Sequence, residues 1–396
     1  MDNEKTLLVI NAGSSSMKFA LYRGMDELVS FYFETMEGHD KSVVCTVDWA
    51  DEREKSKFDC LSLEAAFDET RVVLATEGLV DNKHPLDAIL VRLVATGGAF
   101  IKSRIVDDRV MEDLERIKEI NILHVPPAIK AIQDAKAAFP GVTIIVMSDS
   151  EALMKPSRRD LKYAISKRAS NAIGVELGRY GAHGNSHGYI IRKMADLELP
   201  EALGKVIVCH LGSGCSITAF ECGQPVYHSM GFTPLEGLMS STRTGSIDPT
   251  IGALLGERVG AAKAIELMNK QSGLLCAGSK DMRMIITLAD SGVKDVASYL
   301  RMFVEGVAGT IGDYATRMKG VDAIVFTATI GERSHRIRSY IVSYLDQLGF
   351  RLGVDVGDLD FSVGYVNVAD EKSKAIYVIP TDEAAYMIWR ATQMLK

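Results

Sequence analysis

Three short turns in the sequence have the composition of phosphate-binding turns. Residues 11–16, 210–216 and 329–333 are rich in glycine and small polar side chains, and each closely follows an apolar run typical of a buried strand. Glycine and serine let backbone N–H groups approach an anion closely, so such turns can form phosphate-binding nests. A single Gly-Ser turn is more often an ordinary hairpin, but three of them, each after a strand, favour phosphate binding.

Two common nucleotide-binding motifs are absent from the sequence. The nearest approach to a P-loop runs from Gly273 to Lys280, and its residues after the second glycine stand in the wrong order. No Gly-x-Gly-x-x-Gly follows an apolar run, which excludes a Rossmann fingerprint. A nucleotide site in this chain therefore has to be built on another fold.

Three side chains could supply the positive groups that phosphoryl transfer needs around the moving phosphate. Arg92 interrupts the apolar run 88–94, Arg243 lies in a loop of small residues, and His183 lies in a glycine-rich stretch. Each also has a structural interpretation: an edge-strand arginine paired with a surface carboxylate, a solvated loop arginine and a structural loop histidine. The sequence leaves both kinds of interpretation open.

His183 and His187 have the four-residue spacing of a metal-binding pair on a helix. Gly184 disfavours a helix at this point, and no carboxylate accompanies the two histidines. We therefore predict that this stretch is a loop without a metal, in which His183 acts as a hydrogen-bond donor.

Two acids follow predicted strands. Asp149 comes after the apolar run 142–147, and Glu383 comes after the run 376–379. Proteins of the α/β class place their chemistry at the carboxyl ends of strands, and magnesium bound to phosphates takes one or two carboxylates. Both acids are therefore candidates for a magnesium site, although helix capping or simple solvation would also explain them.

A strand–turn–strand pattern occurs twice, about half a chain apart. Residues 7–22 and 206–220 both place a Gly-Ser turn between two apolar runs, which indicates two structurally similar halves. Helical patterns lie between the strands, as in 297–318, where apolar residues fall four apart. Alternating strands and helices predict an α/β protein. After the last strand, Thr381 is the expected N-cap of a terminal helix.

The length and charge of the chain restrict the remaining possibilities. A chain of 396 residues exceeds one ordinary core and predicts two domains. We place an N-terminal domain at 1–150 plus the returning helix 384–396, and a C-terminal nucleotide-binding domain at 151–383. The net charge of −7 disfavours nucleic acid and anionic membranes as partners, so any anion site has to be locally basic. Neither a signal peptide nor a membrane span is recognisable, and we expect a cytoplasmic protein with free thiols.

Nine phrases of the sequence resemble the acetate kinase family. They are INAGSSSMKFALY, LHVPPAI, RYGAHGNSHGYI, VCHLGSGCSITAF, MGFTPLEGLMSSTRTGSIDPTIG, SGLL, DMR, FTATIGERS and VIPTDEA, and they follow the family's order from Ile10 to Ala384. The resemblance implies two duplicated domains of the actin-like, sugar-kinase type, with the active site in the cleft between them. It also implies ATP/ADP and a short-chain carboxylate or acyl phosphate as partners, Mg²⁺ (or Mn²⁺) as cofactor, and a homodimer.

The resemblance assigns roles residue by residue. It implies catalytic roles for three residues, namely Asp149, His183 and Arg243. It implies that the carboxylic acid is bound by Arg92, Val94, Leu123, Ala182 and Pro234. It implies that the nucleotide is bound by Lys18, His210, Leu211, Gly212, Ser213, Gly214, Asp281, Met282, Arg283, Thr329, Ile330, Gly331, Glu332 and Arg333. The metal positions of the family correspond to Asn11 and Glu383.

Several positions depart from the family pattern. Thr329 stands where the family has glycine and Arg333 where it has asparagine, both on the nucleotide side. Ala182 replaces a phenylalanine on the acyl side, which predicts a pocket for acids larger than acetate unless Met230 or Phe232 fills the gap. The alternatives are a carboxylate kinase that uses pyrophosphate or another nucleotide, and a non-catalytic actin-like protein that binds nucleotide.

Overall fold

The computed structural model describes residues 4–13, 16–36, 43–50, 55–95, 97–353 and 359–396. Ser14 and Ser15 of the first predicted phosphate turn lie outside the described residues. The elements up to residue 151 are β1 (Thr6–Ala12), β2 (Ser16–Arg23), β3 (Asp26–Thr35), β4 (Val43–Trp49), β5 (Ser56–Cys60), α1 (Ala66–Thr76), β6 (Ala88–Leu93), β7 (Arg104–Ile105), α2 (Asp108–Ile117), α3 (Val125–Ala138) and β8 (Thr143–Ser148).

The remaining elements complete a second sheet and end in a long terminal helix. They are α4 (Lys167–Ile173), α5 (Gly184–Asp196), β9 (Lys205–Leu211), β10 (Cys215–Glu221), β11 (Gln224–His228), α6 (Pro249–Val259), α7 (Ala261–Lys270), α8 (Met282–Asp290), α9 (Lys294–Arg317), β12 (Ala323–Thr327), α10 (Ala328–Arg333), α11 (His335–Val342), β13 (Val366–Asn367), β14 (Ala375–Val378) and α12 (Glu383–Met394). No helix of the described residues combines the length and apolar character needed to cross a bilayer.

The chain forms two compact units, each with its own sheet. Unit 1 comprises Met1–Glu151 and Glu383–Lys396, and unit 2 comprises Ala152–Asp382. The sheet of unit 1 has the order β5-β4-β3-β2-β1-β6-β8-β7, and that of unit 2 has the order β11-β10-β9-β12-β14-β13. In both sheets an antiparallel hairpin leads into three parallel strands, β1-β6-β8 in one and β9-β12-β14 in the other. This shared order confirms the predicted α/β duplication.

The parallel strands are continuous apolar runs because both faces of each sheet are covered. In unit 1, Leu7 and Val9 of β1 pack against Met387, Ile388 and Ala391 of α12. The terminal helix is thus part of the core of unit 1.

In unit 2, the predicted helix within 297–318 is α9, and its residues Phe303, Val307 and Ile311 are buried in the larger core. Four-residue spacing puts these side chains on one face of the helix, where they pack on the sheet.

Two local expectations are wrong. The stretch 329–333 is not an open turn but part of α10, which begins immediately after β12. Thr381 is not the N-cap of the terminal helix, because α12 begins only at Glu383. Its hydroxyl donates instead to Ser186 Oγ at 2.7 Å, and its N–H donates to Glu332 Oε1 at 3.0 Å. These two long-range hydrogen bonds replace the local cap.

A buried carboxylate fixes α12 to the rest of unit 1. Glu151 Oε1 accepts from Arg390 Nε at 2.9 Å, and Glu151 Oε2 accepts from Ser103 N at 3.0 Å and from Ser103 Oγ at 2.5 Å. The Glu151 side chain is only 8% exposed, so its charge depends on these three donors. The contact sets the position of the helix whose first residue is Glu383.

We expect Glu151→Ala to lower the free energy of unfolding by about 2–3 kcal/mol, because it leaves Arg390 and the buried Ser103 N–H without their acceptor. The change should also speed amide hydrogen exchange along α12. Urea denaturation and exchange mass spectrometry measure the two effects. Lys130→Ala is the control, since it removes only the surface pair of Lys130 with Asp134 and should change stability by less than about 0.5 kcal/mol. Equal effects of the two variants would contradict the interpretation.

Candidate active site

Arg92 lies at the centre of an acidic cluster in unit 1. It projects from β6, between β1 and β8, close to the carboxyl end of the strand. Its Nη2 donates to Asp149 Oδ2 at 2.8 Å, and its Nε lies 3.3 Å from Glu383 Oε2. Asp149 follows β8 directly and is fully buried. Because β6 and β8 are parallel neighbours, their carboxyl ends lie at the same edge of the sheet, and Arg92 and Asp149 meet there.

The cluster keeps Arg92 charged. Burial would lower the pKa of Arg92, but the negative charges of Asp149 and Glu383 outweigh it and raise that pKa above its ordinary value. The interpretation of Arg92 as an edge-strand arginine with a surface partner is wrong, since β6 is an inner strand and Asp149 is buried.

Asn11 and Lys18 lie opposite each other on the first hairpin. They form a cross-strand pair of β1 and β2, and both are exposed. Residues paired in this way project to the same side of a sheet. The hairpin thus presents an amide oxygen and an ammonium group on one side.

The donor set suits a magnesium ion held mainly by phosphate and water. The described residues contain no group of three or more histidines, cysteines or acids that could hold a metal. Asp149 and Glu383, which both contact Arg92, are two hard oxygen donors, and Asn11 offers an amide oxygen. Mg²⁺ commonly takes one or two carboxylates and completes its shell with water and substrate phosphates. The residues present fit that pattern.

The four apolar acyl-side residues are divided between the units. Val94 follows β6, and its carbonyl accepts from Asn121 Nδ2 at 3.0 Å; Leu123 lies two residues beyond Asn121. In unit 2, Ala182 and Pro234 are both buried. The structure thus places Val94 near the loop that contains Leu123, and Ala182 immediately before His183.

The prediction that His183 lies in a loop is wrong, because His183 occupies the N-cap position of a helix. It adopts a left-handed conformation with φ 60° and ψ 22°, and α5 begins at Gly184. The penalty for glycine applies to helix interiors, whereas Gly184 stands at the first helical position. His187, Ile190 and Met194 then follow at helical spacing and are buried, which explains why the helix forms.

His183 and Arg243 come together beside Gly214. A Cβ atom on Gly214 would lie 3.0 Å from Arg243 Nη1 and 3.2 Å from His183 Nε2. Two hydrogen bonds join the loop of Arg243 to the Gly-rich turn. Cys215 N donates to Ser240 Oγ at 3.0 Å, and Ser241 N donates to the carbonyl of Ser213 at 3.0 Å. A side chain at position 214 would crowd both groups, so that one of them would have to shift by a few tenths of an ångström.

A cavity of about 670 Å³ in unit 2 is lined by half of the implied nucleotide-side residues. Of the residues implied by the family resemblance, it is lined by Ser213, Asp281, Met282, Arg283, Thr329, Ile330 and Arg333. The sequence reasoning missed six further lining residues, Ser241, Lys280, Ile286, Ser334, His335 and Arg336. Lys280, Arg283, Arg333 and Arg336 outnumber the one acid of the lining, Asp281, so the cavity carries a net positive charge, as an anion site in an acidic protein requires.

The other implied nucleotide-side residues do not line this cavity. They are Lys18, His210, Leu211, Gly212, Gly214, Gly331 and Glu332. Glu332 turns inward, where its Oε1 accepts from Ala328 N at 2.7 Å and from Thr381 N at 3.0 Å. Buried Arg338 donates to the carbonyls of Gly331 and Glu332 at 2.8 Å each. Gly331, Glu332 and Arg338 thus hold α10 in place, and none of the three lines the cavity.

Known proteins match this chain along nearly its entire length. A model of the Acetokinase family matches residues 6–390. The acetate kinase of Thermoanaerobacter pseudethanolicus is 34% identical over 98% of both chains. A propionate kinase structure from Francisella tularensis has a TM-score of 0.84 at 31% identity, covering 97% of this chain and 98% of that chain. The acetate kinase structure from Porphyromonas gingivalis has a TM-score of 0.80 at 29% identity over 99% of both chains.

The two solved structures confirm the fold class that the motifs implied, with two duplicated α/β domains of the actin-like type. The family model and these relatives match along nearly the entire chain. The chain belongs to the acetokinase family.

Proposed function

We propose that this protein catalyses reversible phosphoryl transfer between ATP and a short-chain carboxylate, acetate or propionate, to give an acyl phosphate. The observation that carries the proposal is the convergence of His183 Nε2 and Arg243 Nη1 at Gly214, in a chain of the acetokinase family. Two such groups at one point are what a transferring phosphoryl group requires. Family membership favours neither a pyrophosphate donor nor a non-catalytic role.

The carboxylate substrate needs alignment rather than a strong base, because it is already ionised at neutral pH. One of its oxygens attacks the γ-phosphorus of ATP, the bond from that phosphorus to the β–γ bridging oxygen breaks, and ADP leaves. We assign to His183 and Arg243 the stabilisation of the charge on the moving phosphoryl group. Asp149 then serves to orient magnesium or water, not to remove a proton.

Arg92 is the proposed carboxylate-binding residue. Its Nη2 donates a hydrogen bond to Asp149 and its Nε makes only an ion-pair contact with Glu383, whereas a guanidinium has five N–H donors. The planar guanidinium can therefore also donate hydrogen bonds to a substrate carboxylate. Val94, Leu123, Ala182 and Pro234 are proposed to surround the alkyl group of the acid.

Magnesium, or manganese, would be held by Glu383 and Asn11 at this site. When bound, such an ion neutralises charge on the nucleotide phosphates. Lys18, which projects from the same side of the hairpin as Asn11, is proposed to contact those phosphates. The basic cavity of unit 2 is proposed to bind the rest of the nucleotide.

A homodimer is also proposed, and the surface of α6 supports it. None of the residues of α6 is buried, although Ile251, Leu254 and Val259 on it are apolar and 45–52% exposed. Apolar side chains exposed in this way are typical of a surface that packs against another protein, which we propose to be a second copy of the chain. We further propose a cytoplasmic location, in which the six cysteines, all free thiols here, would stay reduced.

The two arginines should affect different kinetic constants. We expect Arg92→Ala to raise mainly the KM for the carboxylic acid, because it removes a binding contact. Arg243→Ala should lower kcat by about 10²–10³-fold, because its charge meets the one that develops during transfer. Arg71→Ala, which loses only a surface pair with Asp68, is the control. Thermal unfolding accompanies the kinetics, since Arg92 also neutralises buried Asp149. Near-normal kcat in Arg243→Ala would refute its role.

Donor selectivity should be low, because Thr329 and Arg333 line the cavity where the family has smaller residues. We expect kcat/KM values for ATP and GTP within about tenfold of each other, a difference below about 1.4 kcal/mol. Thr329→Gly should increase the preference for ATP. Acyl phosphate formation is measured with ATP, GTP and pyrophosphate separately. Activity with pyrophosphate but with neither nucleotide would overturn the assignment of ATP as the phosphoryl donor. Absence of activity with all three donors would overturn the proposed carboxylate kinase function.

The acid pocket should accept chains longer than that of acetate. Ala182 replaces a ring, and each further methylene buried gains about 0.8 kcal/mol, or about fourfold in kcat/KM. We expect propionate or butyrate to match or exceed acetate, and Ala182→Phe to restore a preference for acetate. Steady-state kinetics with the three acids measure this. A wild-type preference for acetate of about tenfold over propionate would mean that a neighbouring side chain fills the space.

A further inference from the structure

A single buried hydroxyl links two histidines behind the proposed phosphoryl site. Ser216 Oγ lies 3.0 Å from His183 Nδ1 and 2.8 Å from His187 Nε2. Ser216 projects from β10, opposite His210 of β9, and both Ser216 and His187 are fully buried. His183 Nε2, on the other side of its ring, is the atom beside Gly214 and Arg243.

The one hydrogen of Ser216 creates a choice between two arrangements. If the hydroxyl donates to His183 Nδ1, the proton of a neutral His183 ring is on Nε2, and an N–H faces the phosphoryl group. If the hydroxyl donates to His187 Nε2, His183 Nδ1 must carry the proton instead. His183 would then present the lone pair of Nε2 to phosphate oxygens, which repels them.

The surroundings of His187 select the first arrangement. Among the described residues, Nδ1 of His187 has no hydrogen-bond partner. Buried N–H groups without an acceptor are rarer in proteins than acceptors without a donor, so the proton of His187 belongs on Nε2. From there it donates to Ser216, and Ser216 donates to His183. Burial, with a smaller contribution from His210, lowers the pKa of His187 well below its ordinary value, which keeps the ring neutral.

We propose that Ser216 and His187 are positioning residues that fix His183 in the tautomer with an N–H at Nε2. The inference rests on the proposed role of His183 in phosphoryl transfer and adds what sets its hydrogen-bond polarity. Neither positioning residue touches the substrate; they act through His183. The backbone assists, because His183 is held in its left-handed cap position and its ring stacks on His210 with centroids 4.2 Å apart.

The tautomer can be read without an activity assay. Protonated and unprotonated ring nitrogens give well separated ¹⁵N shifts, and the wild-type protein with ¹⁵N-labelled histidine has eight such residues. The signals of His183 are those that vanish in His183→Gln. We expect the proton on Nε2 in the wild type and a mixture of tautomers in Ser216→Ala. A wild-type His183 protonated at Nδ1 alone would overturn the proposal.

Kinetics give a second, independent outcome. Ser216→Ala should lower kcat by about 10- to 100-fold, the usual scale for a lost orienting contact. The KM values for nucleotide and acid should change by less than about twofold, because binding groups are untouched. Thr218→Val is the matched control. Thr218 lies two positions further along β10 and is equally buried, and its hydroxyl forms a hydrogen bond with His228 Nδ1 at 2.8 Å. The control should lose stability but keep kcat; equal loss of kcat in both variants would overturn the proposal.

Conservative replacement of His187 separates orientation from packing. His187→Gln keeps an N–H donor near the position of Nε2 and should retain most of kcat, whereas His187→Leu should resemble Ser216→Ala. Equal activity of the two His187 variants would contradict the proposed chain of hydrogen bonds from His187 through Ser216 to His183. If the wild-type protein phosphorylates no carboxylate, the proposed function fails, and the ¹⁵N spectrum still decides the tautomer.

Discussion

Hydrogen bonding between parallel strands is the constraint on which the candidate site depends. In unit 1, the pairing of β6 with β8 brings Arg92 and Asp149 to the same edge of the sheet. In unit 2, the pairing of β9 with β12 places the Gly-rich turn after β9 next to the start of α10. Parallel pairing gives all these strands the same direction, so residues far apart in sequence meet at their carboxyl ends. The same sheet order in both units creates two such edges.

Local patterns were enough to predict much of this architecture. The apolar runs that became β1, β9 and β12, and the helical spacing of α9, depend on burial that repeats with a fixed period. The family motifs then identified the fold and most of the residues around the basic cavity. These features are recorded in short stretches of sequence, so they could be recognised without the structure.

The features that were not predicted depend on long-range contacts. Gly184 disfavours a helix by residue type alone, but it occupies the first turn of α5, and buried residues further along stabilise the helix. Thr381 has the residue type of an N-cap, yet its hydroxyl contacts Ser186, 195 positions away. Lys280, which precedes α8, and Arg336 of α11 line the same cavity, although both lie outside the phrases that resemble the family. No local pattern records such partners.

Two residues near the candidate site keep an unfavourable backbone conformation. His183 and Ala328 both have positive φ values, 60° and 64° respectively, although neither is glycine. Such conformations cost about 1–3 kcal/mol each and persist only where the surroundings enforce them. For Ala328, the surroundings include Glu332, whose carboxylate accepts its N–H. The conformation of Ala328 is thus accompanied by a contact within α10 itself, whereas His183 is held by contacts with Ser216 of β10 and His210 of β9.

The ion pairs of Arg92 also have a consequence for which anions the protein can admit. A guanidinium already held by Asp149 and Glu383 is not an open positive site. An anion bound at the remaining N–H groups of Arg92 would lie beside two carboxylates, and a planar carboxylate matches the geometry of those paired donors. A spherical halide offers no such match to the fork of donors. With Arg92 in its proposed role, the two resident acids would favour a planar carboxylate over a small spherical anion.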